Sequence, residues 1–250
     1  MARIELRDAT ITIKDGLSGV ATIDGVSTGI PVTTDTSIEL TTSSVVLNTT
    51  VTDLVPVGAR FTIAGETDAT QVHTVTARTP ASSGETTEIN FTPALGAGTY
   101  ADGGAVTFLP QQVEVKLGDG NLTWSVNKEY EYLLDRGNLD TVREGDQQPM
   151  DVTLDSVYEN ITTGTSETIS PYDAMNGVGE ASEWVSASSD PCEPYAVDLE
   201  VSHVQTCGTA QDETTLIEDF RYDTLEVDLS AATLSFTGRS NTVAPTTTRS

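Results

Sequence analysis

Residues 196–201 read Ala-Val-Asp-Leu-Glu-Val, so that apolar residues alternate with acidic ones. Residues 224–229 repeat this order as Thr-Leu-Glu-Val-Asp-Leu. Because successive side chains of a β-strand point to opposite faces, both stretches predict strands with one apolar and one acidic face. Similar alternation predicts strands at 3–14, 150–158 and 233–238. The sequence therefore predicts a mainly β protein.

The composition excludes several classes of protein. The 250 residues include 38 Asp and Glu but only 12 Lys and Arg, which gives a formal net charge of −26. A surface with this charge repels DNA, RNA and anionic lipid. No run of about 18 apolar residues is present, so we expect no transmembrane helix. The first residues alternate charged and apolar side chains and do not resemble a signal peptide, so we expect folding in the cytoplasm.

The composition of the sequence changes over residues 33–110, which are rich in Thr, Ser, Ala and Gly and carry few charges. Short runs followed by Gly or Pro predict five strands in this stretch, at 44–51, 60–64, 71–77, 88–91 and 105–109. Five short strands can form a small barrel or sandwich of their own. We therefore predict a core domain of residues 1–32 and 111–240, an inserted outer β-domain at 33–110, and a flexible C-terminal tail at 241–250.

A hairpin is predicted immediately after the inserted stretch. Residues 113–117 and 122–126 both alternate, and Gly118-Asp119-Gly120-Asn121 separates them. Glycine and asparagine at these positions favour a tight turn that reverses the chain. We therefore expect the two alternating runs to pair with each other.

A single short helix is predicted at residues 172–176. Ser170 precedes it and can accept a hydrogen bond from a first-turn N–H group. Pro171 suits the first turn, and Gly177 suits the exit of the helix.

The sequence does not indicate an enzyme. The two histidines, His73 and His203, lie near no nucleophile-elbow motif, and we interpret both as incidental residues on polar strand faces. No Gly-rich loop has the strand and helix neighbours of a phosphate site. The many acidic residues single out neither a glycosidase pair nor a calcium loop. We predict no catalytic residue and no cofactor.

One cluster has the residue types of a metal site. Cys192, His203 and Cys207 combine thiol and imidazole ligands that suit zinc, but a fourth ligand is missing and the spacing matches no zinc motif. The thiols could instead form a disulfide between neighbouring strands. In a reducing cytoplasm we favour two free thiols and predict no metal.

An ordered series of short segments resembles a known family. One of these segments reads Leu134-Asp135-Arg136-Gly137-Asn138-Leu139-Asp140. The others are 7–16, 131–132, 142–146, 149–152, 170–175, 196–199, 219–222 and 235–239. In this order they resemble major tail tube proteins of long-tailed (siphovirus-type) phages and related archaeal tailed viruses. The likeness covers about 1–32 and 111–250, and the acidity of this chain exceeds that expected of the family.

The resemblance implies a β-sandwich or barrel with one short α-helix, which six copies close into a ring. The rings stack into a tube, and a hairpin or loop of each copy reaches the next ring. Here that loop would be 139–151. Its contact residues would be Asp140, Arg143, Glu144, Asp146 and Pro149. The inserted stretch resembles small all-β domains, Ig-like or barrel, that decorate the outside of virions.

The resemblance also implies a passive role in DNA ejection. Viral DNA would pass through an acidic channel without specific binding, and the predicted wall residues are Asp198, Glu200, Glu226 and Asp228. An ordinary solvated strand face remains the alternative for each of them. Further partners would be other virion proteins such as the tape measure, baseplate and terminator. The protein would be assembled in the host cytoplasm, act in the virion tail and contact no membrane.

Two other classes of function stay open. The first is another ring-forming component, such as a secretion tube or a head–tail connector. The second is an acidic β-rich adhesin or receptor-binding module, which would be a compact monomer or trimer. Self-assembly into rings distinguishes the tube from the adhesin.

Overall fold

The computed structural model describes most of the chain. The described residues are 9–23, 37–39, 46–47, 55–66, 68, 70–80, 86–95, 103–117, 121–136, 138–157, 162–163, 166–167, 169–188, 190, 192–204 and 212–249. Over these residues the protein is mainly β with one short α-helix, as the sequence predicts. No helix within them is long and apolar enough to cross a membrane.

The described residues form nineteen strands, which are numbered in chain order. The first ten are β1 (Ala9–Lys14), β2 (Gly19–Thr22), β3 (Ser37–Glu39), β4 (Val46–Leu47), β5 (Arg60–Ile63), β6 (His73–Pro80), β7 (Thr86–Thr92), β8 (Ala105–Leu109), β9 (Gln112–Val115) and β10 (Leu122–Ser125). The others are β11 (Lys128–Asp135), β12 (Asn138–Gln147), β13 (Met150–Val157), β14 (Thr162–Thr163), β15 (Ser166–Glu167), β16 (Val197–His203), β17 (Glu213–Asp228), β18 (Thr233–Ser240) and β19 (Thr246–Arg249). Helix α1 is Pro171–Asn176, and Gly179–Ala181 form a 3-10 turn.

The chain packs into two compact units. Unit 1 comprises Met1–Ile13, Val113–Met175 and Ala196–Ser250, and unit 2 comprises Lys14–Gln112 and Asn176–Tyr195. Unit 2 thus takes in residues on both sides of the predicted insertion. Strand β2 belongs to it because it pairs with β8 and β4.

Unit 1 is built on an eight-stranded sheet in the order β10-β13-β18-β17-β16-β1-β9, with β19 also paired to β17. Alternate residues of β13 and β18 form its core, and Val152, Leu154, Leu234 and Phe236 are almost completely buried. We call the opposite side of this sheet the outer face.

The predicted hairpin between β9 and β10 is wrong. The two strands lie at opposite ends of the sheet order, and β10 pairs with β13, so that Leu122 lies opposite Leu154. The N–H groups of Asp155 and Val157 on β13 donate to the carbonyl groups of Asn121 and Lys116 at 2.7 and 2.8 Å. Residues on both sides of the predicted turn therefore lie beside β13. Residues 118–120 of the predicted turn lie outside the described residues.

The C-terminal residues differ from the expected flexible tail. Strand β19 runs antiparallel to the start of β17, and Thr246 lies opposite Leu216. Arg249 Nε donates to Glu213 Oε2 at 2.7 Å. The tail thus extends the ladder that β18 forms with the other half of β17.

Unit 2 contains a seven-stranded sheet in the order β3-β7-β6-β5-β8-β2-β4. Strands β4 to β8 fall within or overlap the five predicted stretches. The rings of Phe61, Phe91 and Phe108 lie in its core, and the Phe61 ring meets that of Phe91 edge-on with centroids 5.3 Å apart.

Helix α1 ends at Asn176, as predicted, and begins at Pro171, one residue before the predicted start. The Asp173 N–H donates to Ser170 Oγ at 3.1 Å, and Ser170 Oγ donates to the Asp173 carboxylate at 2.8 Å. Gly177 follows the last turn with φ 60°, a conformation that favours glycine.

Candidate subunit interface and acidic face

Strands β11 and β12 form a separate two-stranded sheet, which we call the ribbon (residues 128–147). Its register places Tyr132 opposite Val142 and Leu134 opposite Leu139. All side chains of β11 are exposed. The stretch 139–151, expected to be a loop, is therefore largely strand β12 and the start of β13.

One side of the ribbon is apolar. Tyr130, Tyr132 and Leu134 alternate along β11 and so share a side, which Val142 and Leu139 join from β12. Glu144 lies on the same side, opposite Tyr130. The exposed fractions of these side chains are large: Tyr130 48%, Tyr132 62%, Leu134 65%, Leu139 61% and Val142 48%. We call these five residues the apolar face of the ribbon. From the sequence, Tyr130 and Tyr132 lie among charged residues and could belong to an interface, but the face that they form with Leu134, Leu139 and Val142 was not predicted.

The opposite side of the ribbon carries charged residues as well as the apolar Leu133. Glu129, Glu131 and Leu133 alternate along it, and Arg143 lies opposite Glu131. Gln148 Nε2 donates to Glu129 Oε2 at 3.3 Å.

The structure places the predicted contact residues in and beside the ribbon. Arg143, Glu144 and Asp146 are exposed on β12, and Pro149 is exposed between β12 and β13. Asp140 belongs to β12, but its side chain lies outside the described part of the structure.

All four predicted wall residues lie on the outer face of the eight-stranded sheet. Asp198 and Glu200 alternate with the buried Val197 and Leu199 on β16. Glu226 and Asp228 on β17 lie opposite Ser235 and Thr233, which alternate with the buried Leu234 and Phe236.

The four residues form two groups at opposite ends of β17. Glu200 lies opposite Leu216, ten residues before Glu226 on the same strand. At the rise of a β-strand the two glutamates are separated by roughly 30 Å. A single cluster of four carboxylates is therefore not present.

Two of these carboxylates accept hydrogen bonds that stabilise a bulge and a turn. Asp198 Oδ1 accepts the N–H of Asp219 at 2.9 Å, where β17 bulges and Asp219 has φ 55°. Asp228 Oδ1 accepts from Ser230 Oγ at 2.6 Å, and from the N–H groups of Ser230 and Ala231. The Ser230 hydroxyl bond, followed by the backbone bonds, lowers the pKa of Asp228.

The middle of the outer face is mixed in charge. Arg221 lies directly opposite Arg239, and Arg239 Nε donates to Asp151 Oδ1 at 3.2 Å. Asp155 accepts from Ser235 Oγ at 2.5 Å. These cross-strand contacts were not visible in the sequence because they depend on register.

The structure does not show Cys192, His203 and Cys207 arranged as a metal site. Cys192 is exposed and has a free thiol. His203 ends β16 and is half-buried, and Cys207 lies outside the described residues. Among the residues described, no three His, Cys, Asp or Glu side chains are grouped so as to hold a metal ion.

His73 does not lie on a polar strand face, and that interpretation is wrong. Its side chain is completely buried in unit 2, and Nε2 lies 3.0 Å from the buried Glu66 Oε2. Nδ1 donates to the Pro93 carbonyl at 2.7 Å. The ring stacks on Phe61 with centroids 5.4 Å apart. The alternation of His73 with Val75 is the signal that places it inward, because Val75 is also buried.

The comparisons with known proteins identify no relative. Neither protein-family models, nor curated sequences, nor solved structures match this chain.

Proposed function

We propose that this chain is a structural virion protein, a major tail tube subunit whose copies form stacked hexameric rings. It carries out no catalysis, and viral DNA passes through the resulting channel without specific binding. At the ends of the tube, rings would contact other tail proteins such as the tape measure, baseplate and terminator. The observation that carries the proposal is the ribbon.

The ribbon supports self-assembly because the side chains of its apolar face are exposed. Its side chains are exposed, and a two-stranded hairpin without packing is marginally stable in water at best. An exposed group of large apolar side chains is typical of a surface that another molecule covers. The family resemblance assigns that role to the next ring.

The charge of the outer face of the eight-stranded sheet is the evidence for the proposed passage of DNA. Among the described residues, this face includes Asp151, Asp155, Asp198, Glu200, Glu226 and Asp228 together with Arg221 and Arg239. A wall of this charge repels phosphates over about 10 Å at 0.1 M salt. Repulsion at this range prevents adhesion without slowing the transit of a polyanion.

Negative-stain electron microscopy of the purified full chain tests the proposal. We expect rings or hollow tubes in a preparation brought to high salt. Compact monomers or trimers at every salt concentration would contradict the proposal and favour the adhesin.

A further inference from the structure

We propose that His73 and Glu66 make the stability of unit 2 depend on one bound proton, so that unit 2 becomes less stable when pH rises and this proton is lost. His73 begins β6, and Glu66 follows β5. Their side chains are 0% and 1% exposed. We call these two residues the buried pair. The proposal concerns unit 2 alone and does not depend on the proposed tube.

The hydrogen bonds of the His73 ring fix where its protons lie. A carbonyl oxygen can only accept, so the contact of 2.7 Å between Nδ1 and the Pro93 carbonyl requires a proton on Nδ1. Nε2 lies 3.0 Å from Glu66 Oε2. This second hydrogen bond requires one further proton, which either Nε2 or the carboxyl group carries. Without that proton, two acceptors face each other.

The surroundings of the ring make the loss of this proton unfavourable. The His73 ring stacks on Phe61 with centroids 5.4 Å apart, and it meets Phe91 edge-on with centroids 5.1 Å apart. A buried carboxylate that faces a lone pair bears the cost of leaving water and gains no donor from the ring. The buried pair therefore stabilises unit 2 only while it holds one proton.

The other charged side chains of the neighbouring elements are engaged elsewhere. Among the described side chains of β5, β6, β7 and the turn after β5, they are Arg60, Arg78, Glu88 and Asp68. Arg60 and Glu88 alternate with buried residues and lie on the other side of their strands. Arg78 pairs with Glu183, and Asp68 is exposed. Within the described residues, the two members of the buried pair are thus the titratable groups that face each other.

The bound proton sets the sign of the pH dependence. In an unfolded chain, glutamate and histidine have ordinary pKa values of about 4.3 and about 6.5. Between these values the unfolded residues hold one proton beyond the N–H of neutral imidazole, as the folded pair does, so the contribution of the pair to stability is constant. Above about pH 6.5 the unfolded residues lose this proton while the folded pair retains it. Stability then falls as pH rises, because the folded state binds more protons.

Glu66→Gln separates the hydrogen bond from the bound proton. The glutamine amide supplies an N–H donor to Nε2 of a neutral ring, so the hydrogen bond no longer requires an additional proton. The pH dependence should therefore change sign. The variant should keep its stability above about pH 6.5 and lose it below, where only the unfolded histidine is protonated. Glu88→Gln makes the same change on the other side of β7 and is the matched control.

The two tryptophans allow unit 2 to be followed within the full chain. Trp184 belongs to unit 2 and is 7% exposed, whereas Trp124 belongs to unit 1 and is 41% exposed. Trp124→Phe thus leaves a fluorescent reporter in unit 2 alone.

Urea unfolding of the Trp124→Phe chain at a series of pH values tests the proposal. From about pH 7 to about pH 8 the equilibrium constant for unfolding should rise several-fold, with roughly tenfold per pH unit as the limit for one proton. Addition of Glu66→Gln should remove this rise and produce a several-fold rise from about pH 6.5 to about pH 5.5. Addition of Glu88→Gln should leave the original profile. Parallel profiles with and without Glu66→Gln, or an equal effect of Glu88→Gln, would overturn the proposal.

Nitrogen-15 NMR of labelled histidine tests the same proton without a change to the buried pair. The chain has two histidines, so His203→Gln leaves the signals of His73 alone. These signals should keep one set of chemical shifts from about pH 5 to about pH 7. A titration with a midpoint near the ordinary histidine value of about 6.5 would overturn the proposal and leave the tube proposal standing.

Discussion

Asp15 shows how one side chain joins separate parts of unit 2. Its carboxylate is buried and accepts the backbone N–H groups of Leu17, Gln111 and Val185 at 3.2, 2.7 and 3.3 Å. These donors come from three different segments of the chain. Burial of the phenol, and then the nearby Asp15 charge, raises the pKa of Tyr195.

The raised pKa of Tyr195 predicts a loss of stability at high pH. Its neutral form is favoured in the folded state, so this contribution is complete below the ordinary tyrosine pKa of about 10 and declines as pH rises above it. Thermal unfolding followed between neutral pH and about pH 11 should show a steeper loss for the wild type than for Tyr195→Phe. Identical pH profiles would contradict this assignment.

The roles of single residues could be predicted where they depend on neighbouring residues in the sequence. They could not be predicted where they depend on contacts with distant residues. Ser170, Pro171 and Gly177 delimit helix α1 because caps depend on neighbouring residues. The buried position of Asp15 could not be predicted, because its donors from residues 111 and 185 are distant in the sequence. His73 was misplaced because its partner Glu66 could not be identified before the register of unit 2 was known.

In the proposed assembly, the ribbon makes the contact between copies. Lys128 lies opposite Gln147 at its base, so a short turn can join these two residues when 129–146 are removed. We expect this deletion to leave the thermal stability of the rest of unit 1 almost unchanged, since the side chains of β11 are exposed. It should abolish ring formation. Calorimetry and negative-stain microscopy check the two expectations, and rings formed by the deletion variant would contradict them.

Strands were predictable from alternation except where bulges interrupt it. Residues 224–229 predicted only the end of β17, which begins at Glu213. Register shifts near Asp198 and Asp223 change which side chains face the core, and this breaks the period of two. The pairing of β10 with β13 was missed because the turn residues 118–121 carry no information about distant partners. The N–H groups of Asp155 and Val157 on β13 bind the carbonyl groups of Asn121 and Lys116.

At the scale of the whole molecule, the net charge of −26 means that the protein repels nucleic acids and other polyanions. The alternation predicted the side of each strand on which Glu200 and Glu226 lie, and both lie on the outer face. The sequence did not reveal that Arg221 and Arg239 divide this face, because their opposition depends on the pairing of β17 with β18. We propose that the outer face points into the bore of the assembled ring.

A cryo-electron microscopy map of the assembled protein tests that claim most directly. We predict six copies in each ring, with the outer face of the eight-stranded sheet and its residues Glu200 and Glu226 lining the bore. Each ribbon should place Tyr132 and Leu134 against a neighbouring copy. A bore lined by neutral or basic side chains, or a particle without rings, would contradict the account.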